Sequence, residues 1–166
     1  GRIGVVGTRG TIYSGAITRE FEKRQPILRS DLPRMEIFSE SCPLLVPLIE
    51  EGWIKRSETK RILRFYLRSL KQKNIDTLLL GCTHYPILYD QFASIIGKKV
   101  KVIDNRAVAT SLKKYLERHS DIAAFCKSKN EKSKRIFLTT DNFARFSHLS
   151  LLFLGKQIET QRVVLK

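Results

Sequence analysis

Short apolar runs alternate along the chain with longer segments of helical periodicity. The runs that predict strands cover residues 3–6, 35–38, 75–80, 100–103, 136–138 and 163–165. Helices are predicted over 11–24, from 44 to a stop at Gly52, from 57 onward, through 112–116 and over 143–154. This alternation is typical of a mostly parallel sheet with helices on both faces. The pattern therefore predicts a three-layer α/β fold.

Two of the predicted helices carry more detail. The helix over 11–24 has Thr11 or Ser14 as its expected N-cap, because a hydroxyl can accept from the free N–H groups of a first turn. The helix that begins at Ser57 is basic and amphipathic, with one apolar face that predicts contact with a core. The residues on that face are Ile62, Leu63, Phe65, Tyr66 and Leu70.

Composition favours a soluble globular protein, since 42% of the 166 residues are hydrophobic and 28% are charged. No apolar run reaches the roughly 18 residues of a membrane span. The N-terminus lacks the features of a secretory signal and has no initiator Met. We therefore expect a cytoplasmic protein that is truncated at its start.

Cysteine usage agrees with a reducing compartment. Cys42, Cys82 and Cys126 are odd in number and have neither zinc-type nor disulfide-scaffold spacing. Cys42 precedes a proline at a helix start and is read as a structural cysteine. No metal site is expected.

A formal net charge of +15 would attract nucleic acid, anionic lipid or small acids. The basic residues are scattered along the chain; some follow the helix over 55–73 and others fill a loop over 127–135. They indicate either a solvated helix face and surface loop or a nucleic-acid groove. The chain has no recognition-helix motif, zinc spacing or aromatic stacking series for the second interpretation.

The strongest chemical signal follows the strand predicted over 75–80. That strand stops at Gly81, and Cys82 and His84 come directly after it. Ligands of open α/β sheets bind outside the carboxyl ends of the strands, and a thiol, with an ordinary pKa near 8.5, can exchange protons near neutral pH. In extended backbone, His84 would face the same side as Cys82 and could polarise it. The alternative is a structural cysteine beside a surface histidine.

Three sequence blocks resemble those of bacterial glutamate racemases. Residues 80–86, Leu-Gly-Cys-Thr-His-Tyr-Pro, are similar to the family's C-terminal signature. Residues 3–14 resemble its central strand and turn, and residues 41–52 its middle motif, in the same order. The resemblance is clear to about residue 110 and looser beyond. Another amino-acid racemase of the same superfamily stays an alternative, although the Thr-His-Tyr-Pro continuation argues against it.

The resemblance implies interconversion of L- and D-glutamate without cofactor or metal, supplying D-glutamate for peptidoglycan and cell-wall synthesis. Two thiols on opposite faces of the α-carbon would remove and return the proton. Cys82 would be the base that acts on L-glutamate, His84 its acid/base neighbour, and Thr83 and His84 would also hold the substrate.

Three further site residues come from the same resemblance. Glu50 would interact near the opposite catalytic pair, although by itself it reads as an exposed helix-end carboxylate. Thr8 and Thr11 lie at a strand-to-helix turn whose free N–H groups suit a substrate carboxylate. By contrast, His119 and His148 are interpreted as surface or packing residues.

The resemblance also predicts two domains. Residues 1–106 would form an inserted α/β domain that carries Cys82, and residues 107–166 would complete a second, largely missing α/β domain. The family's Asp-Ser-Gly and Cys-Asn-Thr motifs do not occur here, so we expect the chain alone not to racemise glutamate. An apolar series on the last helix would be left exposed, namely Phe143, Phe146, Leu149, Leu152 and Phe153. The expected partner is glutamate, with no membrane or nucleic acid and with a homodimer as one assembly to test.

Overall fold

The computed structural model describes residues 1–24, 34–124 and 135–165 of the chain. These residues form two compact units, Gly1–Leu112 and a second that begins at Lys113. The predicted domain boundary after residue 106 stays a prediction. Cys126 and the basic loop positions 127, 129, 132 and 134 lie outside the described residues.

A parallel sheet forms the centre of the first unit. Its strands in the described part of the chain are β1 (Arg2–Gly7), β2 (Glu36–Ser41), β3 (Thr77–Leu80) and β4 (Lys101–Ile103), in the order β2-β1-β3-β4. Gly7 pairs with Ser41 and Val6 with Leu80. β1 is buried along almost its whole length, as expected for a strand covered on both faces.

Helices connect the strands. They are α1 (Arg9–Tyr13), α2 (Ala16–Arg24), α3 (Leu45–Glu50), α4 (Ser57–Gln72) and α5 (Tyr89–Ile96), with 3-10 turns at Trp53–Lys55 and Tyr85–Leu88. A further helix, α6 (Arg106–Arg118), follows β4 and contains the boundary between the two units. From β1 the chain moves to β2 on one side, then returns past β1 to β3 and β4. Right-handed crossovers therefore set α1 and α2 on one face and α4 and α5 on the other. The predicted three-layer α/β arrangement is confirmed.

The prediction of one continuous helix over 11–24 was wrong. Gly15 has a φ of 63° and separates α1 from α2, because only glycine enters the left-handed region at little cost. The N-cap of α1 is Thr8, whose Oγ1 accepts from the Thr11 N–H. Ser14 keeps a related role, since its Oγ accepts from the Ala16 N–H at 3.3 Å at the start of α2.

The core of the first unit lies between the sheet and α3, α4 and α5. On α4 it includes Leu63, Tyr66, Leu67 and Leu70, and each leucine buried there contributes about 1.5–3 kcal/mol. The prediction was wrong for Phe65, which is 73% exposed. One residue turns a helix by about 100°, so Phe65 lies beside the buried stripe and Leu67 continues it.

The second unit contains α7 (Ser120–Ala123), α8 (Phe143–Leu154), β5 (Leu138–Thr139) and β6 (Gln161–Arg162). The two strands pair in parallel. The run predicted over 136–138 overlaps β5 only at Leu138, and the strand predicted over 163–165 was wrong, because β6 ends just before it. Asn142 caps α8, with Oδ1 accepting from two backbone N–H groups. As expected, three aromatic residues of α8, Phe143, Phe146 and Phe153, are exposed, whereas Leu149 and Leu152 are half-buried.

Among the described residues, no helix is both long and apolar enough to cross a membrane.

Candidate active site

The carboxyl ends of β1, β2 and β3 meet at one edge of the sheet, because the three strands are parallel and in register. The ladder continues to the strand ends, where the Cys42 N–H donates to the Gly7 carbonyl at 2.8 Å and the Gly81 N–H to the Val6 carbonyl at 2.7 Å. Thr8, Cys42 and Cys82 therefore follow three adjacent strand ends. Such an edge is where open α/β sheets bind ligands.

Cys82 is positioned by the residue before it. Gly81 lies so close to β1 that a Cβ at this position would be 3.0 Å from the Val6 carbonyl oxygen and 3.1 Å from Ile17 Cδ1. Only glycine permits this approach without displacement of its neighbours. The thiol of Cys82 that follows is free and half-buried, so it is close to the protein interior yet still reachable by a ligand.

His84 and Glu50 form the clearest polar contact at this edge. Nε2 of His84 and Oε1 of Glu50 lie 3.0 Å apart, and the side chains are 24% and 23% exposed. A carboxylate only accepts, so the proton in this contact lies on Nε2. Thr83 Oγ1 lies 3.4 Å from the other ring nitrogen, Nδ1. The imidazole therefore has a polar neighbour at each of its two ring nitrogens.

Two expectations about these residues need correction. His84 has α-helical backbone angles, φ −79° and ψ −31°, so the chain turns after Cys82 and the expected extended backbone is wrong. Glu50 is also not an exposed helix-end carboxylate. It does end α3, but it is half-buried and contacts His84, a residue 34 positions away.

Thr8 and Thr11 lie at the turn between β1 and α1. Their Oγ1 atoms are 3.0 Å apart, and the Thr11 N–H donates to Thr8 Oγ1 at 3.4 Å. The expectation of a free N–H group is therefore wrong for Thr11. Both side chains are half-buried, and their hydroxyls rather than the Thr11 N–H are the groups that could meet a carboxylate.

Cys42 has a structural environment. It is fully buried, and burial raises the pKa of its thiol far above the ordinary value, with the nearby Glu40 and Cys82 adding to the shift. The reading of Cys42 as a structural cysteine is confirmed.

Tyr85 is a residue that the sequence reasoning did not single out. Its side chain is fully buried and its Oη donates to the Cys42 carbonyl at 3.0 Å. Burial raises the pKa of its phenol, so the proton stays in place for this hydrogen bond. The available signal was its position next to Pro86 in the turn. A tyrosine that is buried usually needs a hydrogen-bond partner for its hydroxyl.

The remaining histidines are packing or surface residues, as predicted. His119 stacks on Tyr115 with ring centroids 4.0 Å apart, and its Nδ1 donates to the Tyr115 carbonyl at 2.8 Å. His148 is exposed on α8. Within the described ranges, no group of three or more His, Cys, Asp or Glu side chains could hold a metal ion.

Comparison with known proteins identifies the family. Residues 1–112 match the family described as Asp/Glu/Hydantoin racemase. This chain belongs to that family. Among relatives of this racemase-family chain, a glutamate racemase from Chlorobaculum tepidum is 36% identical over 165 residues, covering 99% of this chain and 57% of the relative.

Two solved glutamate racemases share the fold of this racemase-family chain. The enzyme from Bacillus anthracis has a TM-score of 0.83 at 30% identity, and that from Francisella tularensis, in complex with D-glutamate, 0.78 at 28% identity. In both cases 99% of this chain is covered and 57% of the other. The chain thus spans a little over half the length of these relatives. The predicted family is confirmed, and the nucleic-acid-binding alternative is not favoured.

Proposed function

We propose that this chain supplies one of the two acid–base thiols of a cofactor-independent glutamate racemase. The observation that carries the proposal is the position of Cys82, a half-buried free thiol at the carboxyl edge of the sheet, two residues before a histidine held by Glu50. The relatives that match the chain over nearly its whole length are glutamate racemases, and one related structure contains D-glutamate.

The chemistry needs one base and one acid on opposite faces of the α-carbon. The Cys82 thiolate removes the α-proton of L-glutamate, and the electron pair of the C–H bond stays on carbon as a carbanion. A second group then gives a proton to the opposite face, which inverts the centre. His84, oriented by Glu50, exchanges a proton with Cys82 or with the substrate ammonium group between turnovers.

Substrate binding is assigned to hydroxyl groups at the same edge. The residues proposed to bind the carboxylates are Thr8, Thr11 and Thr83, and glutamate has two carboxylates. Because the Oγ1 atoms of Thr8 and Thr11 share one hydrogen bond, one hydroxyl of that pair remains to donate to a carboxylate. The second thiol must come from elsewhere than Cys42, because that side chain is fully buried. We propose that it belongs to the part of the relatives that this chain does not match.

The biological role proposed is supply of D-glutamate for peptidoglycan, which is the role of this family in bacteria. We also propose a cytoplasmic location, because three cysteines without disulfide-scaffold spacing fit a reducing compartment best. A homodimer stays a prediction, which light scattering at several protein concentrations would test.

Proton exchange in D2O tests the proposal directly. L- and D-glutamate are offered separately to this chain and to the same chain joined to the unmatched part of the Chlorobaculum tepidum relative, and exchange and inversion are followed by NMR and chiral chromatography. We expect inversion only by the joined protein, with Cys82→Ser lowering the rate by on the order of 10²–10⁴-fold and Cys126→Ser leaving it unchanged.

Three outcomes would contradict the proposal. They are robust inversion by the 166-residue chain alone, full activity of the Cys82→Ser protein, and a folded joined protein that exchanges neither enantiomer. Offering aspartate in the same assay separates glutamate racemase from another racemase of the family.

The Glu50–His84 contact can be tested with a chemically matched control. Glu50→Gln in the joined protein removes the carboxylate that orients His84 and is expected to lower kcat by on the order of 10-fold or more. Glu22→Gln makes the same chemical change at an exposed position of α2 and is expected to have little effect. Equal losses in the two variants would remove Glu50 from the proposed site.

A further inference from the structure

We propose that a groove between α4 and α5 binds a small phosphate-bearing anion, at a site separate from the Cys82 region. The groove encloses a cavity of about 550 Å³, within the range of small-molecule sites in proteins. Its walls are the 3-10 turn Trp53–Lys55, the first half of α4 and the face of α5 turned toward them. None of the residues assigned to proton transfer or glutamate binding lines it.

The charge of the lining favours an anion. Lys55, Lys60 and Arg64 line the groove, and Asp90 is the one acidic residue among the lining residues. Lys60 and Arg64 are four positions apart on α4, so they are neighbours on one helix face and repel each other. Within the described residues, none of the three cations has a hydrogen bond or ion pair. A bound polyanion would relieve that repulsion.

The groove walls are held together by two hydrogen bonds between different elements. Gln91 Nε2 on α5 donates to the Ile54 carbonyl at 2.9 Å, and Lys71 Nζ near the end of α4 donates to the Ile95 carbonyl at 3.0 Å. The second bond also sets a cation at the C-terminal turn of α5, where the helix dipole favours it. A groove fixed in this way loses little conformational freedom when a ligand binds.

The cations and the floor of the groove define the class of ligand. Lysine ammonium groups are compact point charges and the arginine guanidinium is a planar fork, and both bind phosphate oxygens well. Three isoleucines complete the lining next to the polar Gln91 and Ser94. A small organic molecule with a di- or triphosphate group has both the charge and the apolar part that this lining accommodates.

Pyrophosphate is the probe for the first test, by calorimetry with the 166-residue chain at about 0.1 M salt, where the Debye length is about 10 Å. We expect saturable binding of one pyrophosphate per chain. The double variant Lys60→Gln, Arg64→Gln should weaken it on the order of tenfold. The double variant Arg61→Gln, Arg68→Gln removes the same charge from other exposed positions of α4 and should change the affinity less than about twofold.

A variant that is expected to strengthen pyrophosphate binding keeps the test valid if the double variant is poorly folded. Asp90→Asn removes the one carboxylate of the lining, so pyrophosphate should bind several-fold more tightly, which unfolding cannot produce. Equal weakening in the two double variants would mean a diffuse positive field and would overturn the proposal. The absence of saturable binding would overturn it as well.

Two further binding measurements test the class of ligand and whether pyrophosphate binding is independent of racemisation. A single-stranded oligonucleotide that binds more tightly than pyrophosphate and responds equally to both double variants would replace the proposed site with a nucleic-acid surface. Pyrophosphate binding is expected to be unchanged by Cys82→Ser, so the result is independent of whether the chain serves a racemase.

Discussion

Tyr85 Oη donates a 3.0 Å hydrogen bond to the carbonyl oxygen of Cys42. The two residues follow β3 and β2, which lie on either side of β1, so the bond joins the chain segments that carry His84 and Glu50. Both residues are fully buried. The contact therefore sets the separation of the two groups that form the polar part of the site.

Tyr85→Phe should lower the free energy of unfolding by about 1–3 kcal/mol, because it leaves a buried carbonyl without its donor. Urea denaturation measures the change. Tyr89→Phe is the matched control, since the Tyr89 hydroxyl is 3.5 Å from the Val102 carbonyl and so makes at best a weak hydrogen bond. Similar losses in the two variants would argue against the anchoring role of Tyr85.

Thiol reactivity should distinguish Cys82 from Cys42. In a Cys126→Ser background, the Cys42→Ser chain keeps the half-buried Cys82 thiol and should react readily with a disulfide reagent. The Cys82→Ser chain keeps only the buried Cys42 thiol, whose pKa is raised by burial. It should react on the order of 100-fold more slowly, because a local opening must come first. Equal rates in native conditions would contradict the burial of Cys42.

Gly81→Ala should destabilise the protein by about 1–3 kcal/mol, because the new Cβ would press on the backbone of β1. In the joined protein it should also lower racemase activity by displacing Cys82. Gly10→Ala is the control, since a Cβ there meets nothing within 4 Å and alanine in a helix gains up to about 1 kcal/mol. Thermal unfolding of both variants measures the contrast. A stable Gly81→Ala protein would show that β1 and β3 can separate without cost.

Asp104 should make stability depend on pH. The Arg106 guanidinium bonds to this buried carboxylate and lowers its pKa below the ordinary value. A carboxyl group with a lower pKa in the folded state stabilises above its unfolded pKa, near 3.9, and loses that contribution as the pH falls through the folded value. Asp104→Asn should therefore cost about 1 kcal/mol at pH 7, allowing for the water around Arg106, and progressively less below pH 4.

Denaturant melts of both chains from pH 2 to pH 7 measure the effect of Asp104. The same Asp104→Asn change in an Arg106→Gln chain serves as the comparison and should give a difference that changes less across this range, because the cation that favours the carboxylate is gone. If the stability difference between Asp104→Asn and the parent did not change with pH, the substitution would act through altered packing and not through the lost charge.

The sequence by itself determined the order of strands and helices, the parallel sheet and the position of Cys82 directly after a buried strand. These features depend on local periodicity and on turn residues such as Gly52 and Gly81, which act over a few neighbours. The family resemblance added a role for His84 and Glu50. It could not add their geometry.

Tertiary structure alone decided the relations between distant positions. That Glu50 meets His84 across 34 residues, that Tyr85 anchors to Cys42 and that Phe65 faces solvent while Leu67 is buried all depend on how elements pack. Local periodicity also failed to predict the helix break at Gly15 and the turn at His84. In both places the backbone conformation depends on the contacts that the following segment makes. Periodicity identifies the faces of an element, and only packing decides what each face meets.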